Sequence, residues 1–298
     1  MDYVNRFNEM NENLMENGGF VLGMAFPFMA DLPFIGWYVL GRTKHQMQQI
    51  NQYIVDNVER SLSDYDVENE PTCFAHAYKQ RMERNERLDA VNLLSTCADF
   101  FIAGQETSTY TLRWAVVILA KHAEIQEKLR REILAVVGSD RLPAMADQVK
   151  MPYARACVLE LQRFTNILGT NVIRVTVKDV TIRGQTIPAG TWVNGDIHYL
   201  MANDPVFVNP RSFRPERYLS ADGTSLRKKL VDRTLPFSLG KLVCAGEGLA
   251  RAELFLGLTG TVQRFRILPR FGEEIDLEPV MSTTFLLPKP QGLRLERV

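Results

Sequence analysis

The chain has no excess of either charge: 35 lysines and arginines stand against 35 aspartates and glutamates, for a formal net charge of zero. Without a positive field there is no footprint for a phosphate backbone, and binding to nucleic acid is not expected. Cysteine is scarce. Cys73, Cys97, Cys157 and Cys244 lie far apart with no C-x-x-C spacing, which argues against both a zinc site and a disulfide framework. A reducing cytosol, or the cytosolic face of a membrane, fits that usage. Internal repeats and low-complexity tracts are lacking, and the one linker-like stretch is the polar run at residues 63–72. A clean spanning segment is lacking too. Residues 18–41 come nearest, with Asp31 as their only acidic side chain and Phe20, Phe26, Phe28, Phe34, Trp37 and Tyr38 among them. Pro27, Pro33 and several glycines argue against a membrane helix there, and no basic leader with a cleavage site precedes it. What remains, 46% hydrophobic and 23% charged, is the composition of a globular protein with a sizeable core.

The most informative segment is FSLGKLVCAGEGLARAE at residues 237–253. It sets Cys244 between Gly240 and Gly246, immediately ahead of an expected helix whose apolar face comprises Leu249, Ala250, Leu254, Leu256, Leu258 and Val262. A thiolate near a helix N-terminus gains from the positive end of the dipole and from unpaired N–H groups, which suits an anionic metal ligand. Glycines on either side let the backbone turn sharply and approach a flat group closely. Taken alone, a lone cysteine is more often an inert buried thiol. The flanking residues change the reading: the string resembles the cysteine loop of the cytochrome P-450 family, F-x-x-G-x-R-x-C-x-G-x-x-L-A-x-x-E, at Phe237, Gly240, Cys244, Gly246, Leu249, Ala250 and Glu253. It departs at Leu242, where the family places an arginine that pairs with a haem propionate; Lys241 lies beside it.

Other signatures follow in the family's order. In a helical stretch at residues 88–121, AGQETS at 103–108 interrupts an apolar run with a glycine and hydroxyl residues. Such residues bond helix carbonyls and are expected to bend the helix or open a groove. The segment resembles the family's distal oxygen-activating helix, A-G-x-E/D-T. The resemblance implies a hydrogen-bonding role for Thr107, proton delivery for Glu106 and a groove at Gly104. The alternative for an isolated motif is a threonine satisfying its own helix and a glutamate facing water. Glu160 and Arg163 stand three residues apart on one helix face. By themselves they read as a solvated ion pair; by resemblance they form, with Arg217 of FRPERYL, a buried network behind the cysteine loop.

Residues 171–200 turn β-like, with turn signals at Arg183-Gly184 and Pro188-Ala189-Gly190, and are expected to form a small sheet. The stretch resembles the family's P-R-x-x-x-x-D and I-P-x-G-T segments, with Ile173 in place of the proline. Arg174 is then the best remaining propionate partner, the alternative being a strand arginine pointing to solvent.

The resemblance implies a mainly α fold with small β-sheets, an α+β cytochrome P-450 fold of which the chain supplies only the C-terminal two-thirds. It makes residues 1–298 a single partial domain: 1–87 as substrate-channel and membrane-facing helices and loop, 88–121 as the distal helix, and 151–298 as the E-x-x-R helix, small sheet, cysteine loop and proximal helix. On this reading the chain lacks the anchor and early helices of a full microsomal member. Residues 18–41 become a channel loop dipping into the bilayer; a buried apolar loop is the equal alternative. Further implications are haem b held through Phe237, Gly240, Cys244, Gly246, Arg174 and Lys241, with Cys244 on the iron, and electrons from NADPH through a flavoprotein reductase. The expected chemistry is insertion of one oxygen atom of O2 into a lipophilic small molecule lying against Phe100, Phe101, Ala103, Leu168, Ile173, Thr284 and Phe285. The expected place is the cytosolic face of the endoplasmic reticulum membrane. Two other classes stay open: a haem-binding protein without turnover, and a degenerate helical protein that keeps the motifs as packing.

Overall fold

The structure is a computed structural model that describes residues 28, 35–282 and 285–298, with backbone alone for 35–44, 46 and 47. It divides into two compact units, 1–105 and 106–298, with one long helix running through the division.

In the first unit, α1 (Ile35–Ser63) carries Ile50, Ile54 and Val58 at helical spacing into a core closed by Ala75 of α2 (Phe74–Met82) and Leu93 of α3 (Ala90–Lys121). The polar stretch expected as a linker lies between α1 and α2 as turns and loop. Residues 35–41, read from sequence as part of a loop, are helical from Ile35; the remainder of that membrane-facing reading falls outside the described residues, Phe28 excepted. No helix among the described residues is long and apolar enough to cross a membrane.

The second unit is built around α4 (Ala123–Val136), α5 (Pro152–Thr165) and α8 (Glu247–Arg264). Ile125, Leu129 and Ile133 recur every four residues on α4 and are buried with Leu161, Phe255, Leu258 and Val262. Two polar side chains stitch this core to its surroundings. Gln126 donates to the carbonyls of Leu119 and Ile267, 2.9 Å each, and accepts from the Ile267 amide at 2.7 Å. Arg130 donates to the carbonyls of Val262 and Gln263 at the end of α8, a cation at the negative end of the helix dipole. Pro152 opens α5, and the Glu132 carboxylate accepts its first free amides, Tyr153 and Ala154, at 2.9 and 2.7 Å. Burial is the leading influence on that carboxyl and pushes its pKa up.

Among the described residues the β-structure is four two-stranded antiparallel ladders: β1 (Arg174–Val175) with β4 (Trp192–Val193), β2 (Val180–Ile182) with β3 (Gln185–Ile187), β5 (Phe265–Pro269) with β8 (Leu293–Arg297), and β6 (Pro279–Ser282) with β7 (Phe285–Pro288). The one small sheet expected across residues 171–200 is thus two separate ladders. The β2–β3 hairpin turns through Arg183 and Gly184 at φ of 50° and 81°, the left-handed pair that a two-residue turn requires. The Thr176 hydroxyl, bonded to the Pro188 carbonyl and the Thr191 amide, ties the Pro188–Gly190 turn to β1. Short α6 (Ile197–Asn203) and α7 (Lys228–Val231) complete the unit. The fold is mainly α with small sheets, as the sequence implied.

Candidate functional site

The loop ahead of α8 is set by left-handed residues: Ser238 has φ of 66° and Gly240 has φ of 80°. A side chain at 240 would be strained there, so this glycine is required by the backbone. Gly246 differs. It caps α8 with an ordinary φ of −88°, and a Cβ on it would meet the Cys244 sulfur at 3.9 Å, a plain van der Waals contact. Between them the chain makes a short 3-10 turn, Gly240–Leu242. The Cys244 amide donates to the Phe237 carbonyl at 2.9 Å, and the Glu247 amide to the Cys244 carbonyl at 3.4 Å. The cysteine backbone is therefore tied on both sides while its side chain is exposed. Phe237 is half-buried, and its ring lies against the Arg251 guanidinium at 5.1 Å.

Large apolar side chains of the same segment, and Ile173 beside Arg174, are exposed. Leu239, Leu242, Val243 and Leu249 are 44–67% exposed, and Ile173 is 49% exposed. Leu249 and Leu256 were expected on the buried face of α8; both are exposed, and Phe255 with the polar Thr259 and Gln263 lies inside instead. The buried stripe of α8 therefore runs through Leu254, Phe255, Leu258 and Val262, facing α4 and α5, and Leu249 is left exposed on the first turn. Arg174 reaches the loop: its guanidinium donates to the Ser238 hydroxyl at 3.2 Å and to the Val172 carbonyl at 3.2 Å. Lys241 is exposed.

On α3 the helix runs unbroken through residues 103–108, within the helical stretch expected at 88–121. Glu106 and Ser108 are buried, and Thr107 is half-buried. The Thr111 hydroxyl donates back to the Thr107 carbonyl at 2.8 Å, the local bond by which helical threonines loosen a turn. A Cβ on Gly104 would meet nothing within 4 Å. Ser108 donates to the carboxylate of Glu253, joining α3 to α8.

The residues expected to line a pocket fall into separate groups. In the first unit the exposed Phe100 meets the exposed Phe74 at 5.4 Å between centroids and the half-buried Phe101 meets Tyr53 at 5.6 Å, while Ala103 is exposed. Leu168 and Phe285 are brought together by an antiparallel bridge, with Leu286 donating to the Ile167 carbonyl at 2.7 Å. Tyr110, which the sequence reading passed over, meets the Phe285 ring at 5.2 Å. Its spacing of three from Thr107 was the available signal. Thr284 lies outside the described residues.

Behind these, Glu160 is fully buried and accepts from Arg163 at 2.8 and 2.9 Å, from Arg217 at 3.0 Å and from the Arg214 amide at 2.8 Å. Arg217 spends its remaining donors on the carbonyls of Val208, Asn209 and Ser212. Its pKa is lowered, burial being the first cause.

The sequence model of the cytochrome P-450 family matches residues 2–294. The chain belongs to that family. Among curated proteins it is similar to cytochrome P-450 2H2 of Gallus gallus, 34% identical across 97% of this chain and 60% of the relative. It is also similar to cytochrome P-450 2E1 of Oryctolagus cuniculus, 43% identical across 78% of this chain and 48% of the relative, and to cytochrome P-450 2C1 of the same species, 34% identical across 94% and 58%. The chain thus spans roughly half to three-fifths of the length of the relatives it matches.

Membership of the cytochrome P-450 family implies haem b as cofactor. The residues present fit it. Cys244 offers sulfur on an open surface, the exposed leucines and Ile173 offer apolar contact to a flat ring, and Arg174 stands at the edge of the same loop as a cation for a carboxylate.

Proposed function

We propose that the chain carries the ligand and oxygen-activating elements of a haem-thiolate monooxygenase that inserts one oxygen atom of O2 into a lipophilic small molecule. The observation that carries this reading is the Cys244 loop: backbone tied at Phe237 and Glu247, thiol exposed, with Leu239, Leu242 and Val243 exposed in the same loop. Cys244 would hold the iron, Arg174 and Lys241 the propionates, and Phe237, Gly240 and Gly246 the proximal wall. When bound, haem b supplies the redox-active iron, to which the thiolate lends electron density for oxygen activation. Thr107 and Glu106 lie on the distal helix, where a hydroxyl beside a buried carboxyl is suited to hold and pass a proton. Electrons from NADPH would arrive through a flavoprotein reductase, at the cytosolic face of the endoplasmic reticulum membrane. Within the second unit, substrate would lie against Leu168, Ile173 and Phe285, apolar residues that suit lipophilic molecules such as xenobiotics, fatty acids or steroids without distinguishing them.

A second reading, haem binding without turnover, is favoured by one observation: Leu242, where the family places its propionate arginine, is 67% exposed and offers no charge. The deciding experiment is the absorption spectrum of the haem-reconstituted chain, reduced under carbon monoxide, followed by substrate turnover with a reductase. A strongly red-shifted Soret band lost in Cys244→Ala, with product formation uncoupled from oxygen use in Thr107→Ala, is the expected result. A band without turnover would select the second reading, and no haem uptake would remove both.

A further inference from the structure

Arg251 stands on α8 with its Nε 2.9 Å and a terminal nitrogen 2.8 Å from the same oxygen of Glu247, one turn earlier. Its guanidinium carbon lies 5.1 Å from the centroid of the Phe237 ring. The Phe237 carbonyl accepts the Cys244 amide at 2.9 Å. These contacts form a chain from the first turn of α8, through a cation on an aromatic face, to the backbone of the cysteine. Neither arginine contact is strong alone. Both side chains of the ion pair are more than a third exposed, where such a pair contributes little, and a cation over a phenyl face at such a site adds modestly. Their value lies in geometry. Ser238 and Gly240 are left-handed and the loop around Cys244 is exposed, and the Arg251 contact ties the Phe237 ring to α8.

We propose that Arg251, braced by Glu247, is a positioning residue for the cysteine loop: by clasping the Phe237 ring it holds the carbonyl that fixes the Cys244 amide, and so sets the direction in which the thiolate is presented. The consequence for haem rests on the function proposed above; the consequence for the loop does not. The charged clasp keeps the ring in place at the protein surface, where an apolar contact alone would let it swing into solvent.

The test has two readouts on the full chain. The first is amide hydrogen exchange at Cys244 without haem, compared with Leu254 and Phe255 farther along α8. Arg251→Leu is expected to speed exchange at Cys244 by about three- to tenfold, the reach of a surface cation–π contact and its ion pair, and to leave the two helix amides unchanged. Glu247→Gln, a milder change at an exposed pair, is expected to give a smaller increase in the same place. The second readout is the fraction of the reduced carbon monoxide complex that shows the red-shifted Soret band after haem loading, which should fall in the order wild type, Glu247→Gln, Arg251→Leu. Unchanged exchange at Cys244 would overturn the proposal, as would an equal rise at Leu254 and Phe255, which would reveal general loosening of the helix. Altered exchange with no red-shifted band even in the wild type would uphold the clasp and refute the haem-thiolate function.

Discussion

Glu160 and Arg217 meet at 3.0 Å in the interior of the second unit, their side chains 0% and 2% exposed, although a helix, two ladders and a loop separate them in the chain. The carboxylate is shared: Arg163 grips it from within α5 and the Arg214 amide bonds it from the segment that carries Arg217. One anion thereby compensates two buried cations and fixes where the chain returns after the small ladders. Replacing it with an amide leaves two guanidiniums facing a neutral group that has a single acceptor oxygen. Glu160→Gln is expected to destabilise the chain by about 3–5 kcal/mol, the usual cost of breaking a buried pair on one side. Urea unfolding followed by circular dichroism checks it; a loss under about 1 kcal/mol would mean that the neighbouring carbonyls satisfy the arginines without the charge.

That network also marks how far the sequence could be read. E-x-x-R alone permits a solvated pair as readily as a buried one, because three-residue spacing fixes the helix face and not what covers it. Helix α8 was legible because Leu254, Leu258 and Val262 repeat at helical spacing; α4, whose Ile125, Leu129 and Ile133 repeat in the same way, was not assigned from the sequence. The cysteine loop was legible through its resemblance to the family motif, in which Gly240 takes up a left-handed backbone that suits glycine. The partition of residues 171–200 into two ladders was not, since it depends on the side chains of Thr176 and Asp179 bonding turn amides, which no alternation pattern encodes. Nor was the exposure of Leu249, because an apolar residue in a helical stripe reads the same whether its face meets a core or a flat surface. The contact of Tyr110 with Phe285, a residue that also bridges Leu168, joins parts of the chain remote in sequence and has no local signal.

Gly257 on α8 faces Leu112 on α3 so closely that a Cβ would stand 3.1 Å from both of its terminal methyls. Alanine in a helix interior gains about 0.5–1 kcal/mol over glycine, while overpacking a tight core costs about 1–3 kcal/mol. Which wins depends on whether Leu112 can move. It borders a cavity of about 90 Å³ with Val116, Gly257 and Ile267, so its methyls have room to give a few tenths of an ångström. Gly257→Ala is therefore expected to stabilise the chain by a few tenths of a kcal/mol, seen as a rise in the thermal midpoint. A fall would show that the α3–α8 approach is already as close as leucine allows.

Arg141 and Asp147 form a two-point ion pair at 2.7 Å that, with the Ala144 amide, closes the turn before α5. The Arg141 hydrogen bonds are the leading cause of an Asp147 pKa lowered to about 2 from the ordinary 3.8. A carboxylate whose folded pKa is depressed gives stability that is present in full above its unfolded pKa and is lost as pH falls through the folded one. The contribution of Asp147 should thus be constant above about pH 5 and disappear between about pH 4 and 2. Comparing urea midpoints of the wild type and Asp147→Asn across that window isolates it. The two curves should stand apart at neutral pH and converge in acid; a gap that persists at pH 2 would show that the asparagine disturbs the turn by shape and not by charge.

Ser108 and Glu253 supply the polar bond between α3 and α8, one residue beyond Thr107 on the distal side and within the cysteine-loop helix on the other. The serine is buried, so removing its hydroxyl leaves the carboxylate short of a donor in a place that water reaches poorly. Ser108→Ala is expected to cost about 1.5–3 kcal/mol, the range for a hydrogen bond to a charged group, and Ser108→Thr, which keeps the hydroxyl, clearly less. Glu253→Gln retains an acceptor and should fall between them. If the alanine variant lost no stability while the threonine variant did, shape at position 108 would be what holds the two helices in register, and the hydrogen bond would be incidental to it.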